Sequence, residues 1–286
     1  MEIAVVTDSS ASIPESIIEK LHIHTVAFYI HRGQEVLRDL VTIQRDEFLR
    51  WLATAREAPS TAAPGPGDYV EAFDALAKQG FQKIISIHLS SGISAGYESG
   101  VIAAGMIRNT WPELRLEVID SRNAALCQGW MVIEAARAVL AGKDFDDAVA
   151  LVRKMIPVSH MIQTADTLKY LHMGGRIGRA QTLLGTMLNI KPLIGLEDGV
   201  IVPLGKARSR GQAYAMMADI TAEVLGRSKA KIAYLHAGAL EEARRVKELV
   251  EAKVEVVESM FAELAPSLAV HAGPGMAGLC YFPVEE

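Results

Sequence analysis

Short apolar runs alternate with amphipathic stretches from the first residues onward. Glu2 to Val6 is mostly apolar and closes on Thr7-Asp8-Ser9-Ser10, the pattern of a buried strand ending in a polar turn. Ser12-Ile13-Pro14-Glu15 then signals a helix start, with Ile17, Ile18 and Leu21 as its apolar face. A strand is expected over Thr25 to Ile30 and a helix from about Gln44 to Arg56, with Phe48, Leu49 and Leu52 inward. The segment 58–67 is the richest in turn residues and reads as a loop. Asp68 is expected to cap the next helix, which buries Val70, Phe73, Leu76 and Ala77 and ends at Gly80. Ile84 to Leu89 is a strong strand signal. It breaks at Ser90-Ser91-Gly92 and continues with helical spacing through Ser99 and Ala103 towards Arg108. Leu116 to Ile119 is a further strand, followed by an Ala-rich helix over about Ala124 to Ala141. Asp144 caps another helix to about Ile156.

The texture changes at Pro157. Val158 to Gln163 reads as a strand, Leu168 and Leu171 as a short helix ended by Gly174-Gly175, and Leu183, Leu184, Met187 and Leu188 as another helix. Lys191 to Leu196 and Val200 to Leu204 flank Glu197-Asp198-Gly199, a strong antiparallel hairpin signal. A helix to about Leu225, a strand from Lys231 to Leu235, a helix from Leu240 to Glu251 and a strand from Val254 to Phe261 follow. His271 is expected in a rigid loop with Gly273-Pro274-Gly275, before a last strand from Leu279 to Phe282. The predicted class is therefore α/β. Residues 1–156 form a doubly wound parallel-sheet domain, and residues 157–286 an α+β domain with a mixed, partly antiparallel sheet.

Composition narrows the function. Half of the 286 residues are hydrophobic, which suits a large core or an apolar ligand cavity. No apolar run approaches the roughly 18 residues of a membrane-spanning helix, and no basic n-region or cleavage site suggests a signal peptide. The net charge of −5 argues against nucleic acid as a partner. The two cysteines, Cys127 and Cys280, give no disulfide framework or metal spacing and suit a reducing cytoplasm. His22 and His24 lack a Cys or carboxylate at ligand spacing, so no metal is expected. No Gly-x-Gly-x-x-Gly follows the first strand and no Walker sequence is present, so no nucleotide or other cofactor is expected.

The chemistry centres on Ser94. Gly92-Ile93-Ser94-Ala95-Gly96 matches the Gly-x-Ser-x-Gly nucleophile elbow, and the order Ser94, Asp198, His271 permits a hydrolase triad. The other reading makes Ser94 a ligand holder. Its hydroxyl and that of Thr61, with backbone N–H groups at Ala95 and Gly96, would receive a carboxylate at a helix N-terminus. This second reading is preferred because no oxyanion loop precedes the Ser94 turn and His271 falls in the other domain.

Motifs spread along the chain resemble those of the DegV family. They include Val5-Val6-Thr7-Asp8-Ser9-Ser10 with Ile13-Pro14, Thr61-Ala62-Ala63-Pro64, and Ser90-Ser91-Gly92-Ile93-Ser94-Ala95-Gly96-Tyr97. Val118-Ile119-Asp120-Ser121, Gly174-Gly175-Arg176-Ile177, Ile190-Lys191-Pro192-Leu193 and His271-Ala272-Gly273-Pro274-Gly275 complete the series, in family order and spacing. The resemblance implies a cytoplasmic bacterial carrier of two domains that binds one long-chain fatty acid between them. It implies service as the lipid-binding subunit of a two-part fatty acid kinase, presenting the carboxylate to a separate ATP-binding subunit and then carrying the acyl phosphate. Such a chain has no catalytic residue of its own, and its duties leave room for transient contact with a membrane or an acyltransferase. Carried over by position, Thr61 and Ser94 would hold the carboxylate, with Arg176 and His271 in the polar network around it. The first loop reads Thr61-Ala62-Ala63-Pro64 where the family usually has Thr-Ser-Gln-Pro, so one hydroxyl and one amide are absent. Ala95-Gly96 likewise stands where Gly-Thr is usual.

Overall fold

A computed structural model of the chain describes residues 2–55, 57–186 and 190–284. Four strands form an all-parallel sheet in the order Ile23–Val26, Ile3–Asp8, Lys83–His88, Arg115–Asp120. The order in which strands are added to the sheet reverses between Ile3–Asp8 and Lys83–His88. That junction is where open α/β sheets present ligand sites at the strands' C-terminal ends. Helices cover both faces. Pro66–Lys78 and Gly96–Ile107 pack one side around Tyr69, Phe73 and Ala103, while Glu15–Leu21, Ala125–Leu140 and Phe145–Met155 pack the other. The predicted doubly wound arrangement is present.

The second half builds a six-stranded sheet in the order Val200–Ala207, Lys191–Glu197, His160–Thr164, Ala277–Val284, Lys229–His236, Val256–Glu263. All its pairs are antiparallel except the last, so the sheet is mixed as expected. Helices Arg210–Leu225 and Leu240–Glu251 cover its outer face over Tyr214, Met217, Val246 and Tyr281. The hairpin turn at Asp198-Gly199 has both residues at positive φ, 51° and 79°, the conformation that Asp-Gly supplies.

The helix Ala125–Leu140 lies between the two sheets. It packs on the parallel sheet on one side and on Ala233, Leu235, Cys280 and Phe282 of the mixed sheet on the other. Eleven of its residues, including Trp130, Met131 and Ile133, are buried. That is why its apolar positions run all round rather than along one stripe.

Several expectations are corrected. The strand expected over Thr25 to Ile30 splits at Ala27-Phe28, because the Phe28 N–H donates to Ser9 Oγ (3.0 Å) and leaves the parallel ladder. Tyr29–Arg32 instead centres a small antiparallel sheet with Glu35–Arg38 and Ser60–Ala62, so Thr61 sits on an edge strand and not in a loop. The helix expected to reach Arg56 is Arg45–Leu52, and Arg56 lies outside the described residues. Asp68 is not the cap itself. It occupies the third helical position and accepts the Gly65 N–H at 2.7 Å. The segment after Arg176 is a 3-10 helix, Gly178–Thr186, while the predicted core positions Met187 and Leu188 lie outside the described residues. His271 is in the last turn of a helix, Pro266–Ala272, and not in a loop. Seven residues are too few to show helical periodicity.

Gly129 brings the central helix against the Ser9–Ala11 turn. A Cβ there would fall 2.4 Å from Leu126 Cδ1 and 2.7 Å from the Ala11 carbonyl oxygen. Gly129→Ala is expected to destabilise the protein by about 1–3 kcal/mol despite alanine's better helix propensity. Urea unfolding measures it, and a midpoint at or above wild type would contradict this contact.

Candidate functional site

At the switch point, the turn after Lys83–His88 is built by hydroxyls. The Ser90 N–H donates to Asn123 O (3.0 Å), and Ser94 N–H to Ser90 O (3.1 Å). Ser91 Oγ donates to Asp120 Oδ2 at 2.6 Å. The hairpin tip of the other sheet seats here. Ser90 Oγ donates to Gly199 O (2.8 Å), and a Cβ on Gly92 would fall 2.5 Å from the same oxygen. Arg122 Nη2 donates to the Asp198 carbonyl (3.1 Å) and to its carboxylate (3.2 Å). The two halves therefore meet along this turn.

Between them lies a cavity of about 890 Å³, counted with the solvent at its mouth. Its wall is mainly apolar, with Phe28, Leu89, Met161, Leu196, Ile201 and Leu264 among its residues. Thr61, Ser94, Ala95, Arg176 and His271 all line it. Gly96 stands just behind, its N–H donating to Ser94 Oγ at 3.3 Å. The Ser94 oxygen thus accepts from the backbone, which leaves its proton to donate into the cavity. The helix Gly96–Ile107 begins here with Ala95 as its cap residue, whose side chain makes no capping hydrogen bond, so its positive end faces this region.

Thr61 Oγ1 and His271 Nε2 are 2.9 Å apart. Nδ1 of His271 is buried without a partner among the described residues, and an orphaned buried N–H is rarer than an orphaned acceptor. On that ground the proton belongs on Nε2, which donates to Thr61 and leaves the threonine hydroxyl proton for a ligand. Burial, with the nearby Arg176 charge, pushes the His271 pKa down to about 4. Arg176 is half-buried and fixed by backbone alone. Nη1 donates to Gly174 O (2.7 Å) and Nε to Ile93 O (3.3 Å). Among the described residues no Asp or Glu lies within 4.0 Å of it. Two hydroxyl donors and an uncompensated guanidinium on one apolar cavity make a site for an anion with a hydrocarbon body.

A family model described as "Uncharacterised protein, DegV family" matches residues 2–284. The chain belongs to the DegV family. A DegV domain-containing protein of Halalkalibacterium halodurans is 32% identical over 284 residues, 98% of each chain. Protein DegV of Bacillus subtilis is 30% identical over 98% of this chain and 99% of its own. Among solved structures, a DegV family protein from Thermus thermophilus, described by its fatty acid binding, superposes with a TM-score of 0.92 at 27% identity, over 99% of this chain and 100% of that one. DegV of B. subtilis, described as a fatty acid binding protein, gives 0.88 at 29% identity, with the same coverage.

Within this DegV fold the hydrolase geometry is not assembled. His271 Nε2 faces Thr61 and not Ser94, no carboxylate among the described residues meets Nδ1, and Asp198 is held by Arg122 at the exposed hairpin tip. A triad needs an acid to orient its histidine. Sequence reading missed Gly174 as part of the site. A Cβ there would lie 2.1 Å from His271 Nδ1, so this glycine lets the ring pack against the helix end as well as closing the helix.

The His271 pKa predicts a pH dependence. The unfolded chain binds a proton at about 6.5 and the folded one only near 4, so this stabilising contribution is present above 6.5 and is lost as pH falls towards 4. His271→Gln is expected to flatten part of the loss of thermal stability between pH 7 and 4.5. Identical pH profiles for the two proteins would contradict the burial of a neutral ring.

Proposed function

We propose that this chain binds one long-chain fatty acid between two domains, residues 1–156 and 157–286. Its carboxylate would be held by Thr61 and Ser94, with Arg176 and His271 around it. The observation that carries this reading is Arg176, a half-buried cation with no carboxylate partner among the described residues, on a cavity whose remaining wall is mostly hydrocarbon. Desolvating a cation without an anion is costly, and a ligand carboxylate supplies the missing charge. Each methylene buried in such a cavity contributes about 0.8 kcal/mol, so a long chain offsets the cost of ordering itself. The fatty acid binding described for the T. thermophilus and B. subtilis family members supports the ligand class.

In this reading the chain is a carrier and not an enzyme by itself. Phosphorylation of the carboxylate joins one of its oxygens to the γ-phosphorus of ATP and releases ADP. Among the described residues the cavity wall carries no Asp or Glu to hold a metal–nucleotide complex, and the chain has no Walker sequence. A separate kinase subunit would therefore bring the nucleotide to the Thr61–Ser94 end of the cavity, and the protein would carry the acyl phosphate away.

Native mass spectrometry of protein from bacterial expression should show a long-chain fatty acid bound one to one. No acid retained, and none taken up on addition, would sink the proposal. Ser94→Ala should weaken binding about tenfold to a hundredfold, the worth of one charge-assisted hydrogen bond, and the methyl ester should bind poorly to wild type. Equal affinity for acid and ester would misplace the head group. With ATP and magnesium alone the loaded protein should yield no hydroxylamine-trappable acyl phosphate, and its formation would contradict the carrier role.

A further inference from the structure

The polar side chains lining the cavity are Thr61, Ser94, Gln163, Arg176, Ser267 and His271. All but one have protein partners. Thr61 meets His271, Ser94 takes the Gly96 N–H, Arg176 donates to two carbonyls, and Ser267 donates to Asp39. Gln163 is 7% exposed, and its amide, on the cavity wall, has no hydrogen bond to protein among the described residues.

Its placement is set by the sheet. Gln163 belongs to the strand His160–Thr164, between Gly278 and Ile194 on the neighbouring strands. Alternation turns Ile162 into the outer core and Thr164 Oγ1 onto Pro192 O (2.7 Å), and it turns Met161 and Gln163 into the cavity. The residue opposite is a glycine, and a Cβ on Gly278 would fall 2.7 Å from Gln163 Cβ. No side chain from that neighbour covers the amide.

A plain hydrocarbon seated against this amide keeps water from it and pairs with neither its carbonyl nor its NH2; an amide group left unpaired in that way costs about 1–3 kcal/mol, so glutamine is a poor wall for such a ligand. A hydroxyl on the ligand satisfies both, accepting from the NH2 and donating to the carbonyl oxygen. Sites built to pair a ligand hydroxyl discriminate strongly against the analogue lacking it. We propose that Gln163 selects acyl chains bearing a hydroxyl group, so that the preferred ligand class is a hydroxy fatty acid. This rests on the fatty-acid reading above and deepens it.

The test is calorimetric titration of wild type, Gln163→Leu and Gln163→Met with stearic acid and with 2-, 3-, 10- and 12-hydroxystearic acid, folding being checked by thermal melting. At least one hydroxy isomer is expected to bind wild type tenfold or more tighter than stearic acid. Both variants should lose that preference and bind stearic acid at least as well as wild type does. If wild type binds stearic acid but prefers no isomer, or if the preference survives in a folded variant, the proposal is overturned and the fatty-acid reading stands. Loss of stearic acid binding in both folded variants would make Gln163 a head-group contact and overturn it equally. If wild type binds none of these acids, the fatty-acid reading fails first.

Discussion

The helix Ala125–Leu140 buries eleven of its sixteen residues, and its charged pair Glu134 and Arg137 lies towards its C-terminal end, so most of its length must be covered on both sides. The parallel sheet covers one side and the mixed sheet the other. Covering one apolar helix with two sheets brings the C-terminal edge of the first sheet against the second half of the chain. The Ser90–Gly92 turn and the Asp198–Gly199 hairpin tip close that junction through the hydrogen bond from Ser90 Oγ to Gly199 O. The cavity is what remains between them, and its floor includes Ala124 and Ala125 at the start of the same helix. Small residues there leave volume that larger ones would fill.

Polar groups that cannot reach water frame this space. Asp39 is fully buried and accepts from Ser9 Oγ (2.7 Å) and from both the N–H and the hydroxyl of Ser267. Burial raises its pKa, and the Ser267 and Ser9 hydrogen bonds oppose the shift. The same carboxylate ties the Ser9–Ala11 turn to the helix Pro266–Ala272, which carries His271. Asp8 does a parallel service in the first half, accepting from Ser10 and from the Leu89 N–H (3.0 Å) just before the Ser90 turn. Neither group needs a ligand. Arg176 and Gln163 differ in kind, because among the described residues the first has no counter-charge and the second no hydrogen bond to protein.

What could be read from the sequence follows from the range of the interactions involved. The strand Lys83–His88, the hairpin at Asp198-Gly199 and the helix Leu240–Glu251 are set by patterns within a dozen residues, and each appears where expected. The small sheet of Tyr29–Arg32, Glu35–Arg38 and Ser60–Ala62 was not legible, because its three- and four-residue strands are half-exposed and lack a clean alternation. The site divides in the same way. Thr61 and Ser94 stand out as hydroxyls beside a helix N-terminus, Arg176 and His271 join them through motif resemblance, and the fold gathers all four round one cavity. The roles of Gly174 and Gln163, and the Asp39–Ser267 tie, depend on partners far away in the chain, and no local pattern announces them.

The central claim concerns the ionisation of a carboxylate beside Arg176, Thr61 and Ser94, and carbon-13 NMR of carboxyl-labelled stearic acid bound to the protein tests it directly. The expected result is one bound carboxyl resonance that stays ionised on acidification well below the ordinary carboxylate range of about 4, and that shifts in Ser94→Ala. A bound resonance that titrates like the free acid, or is indifferent to Ser94→Ala, would contradict it.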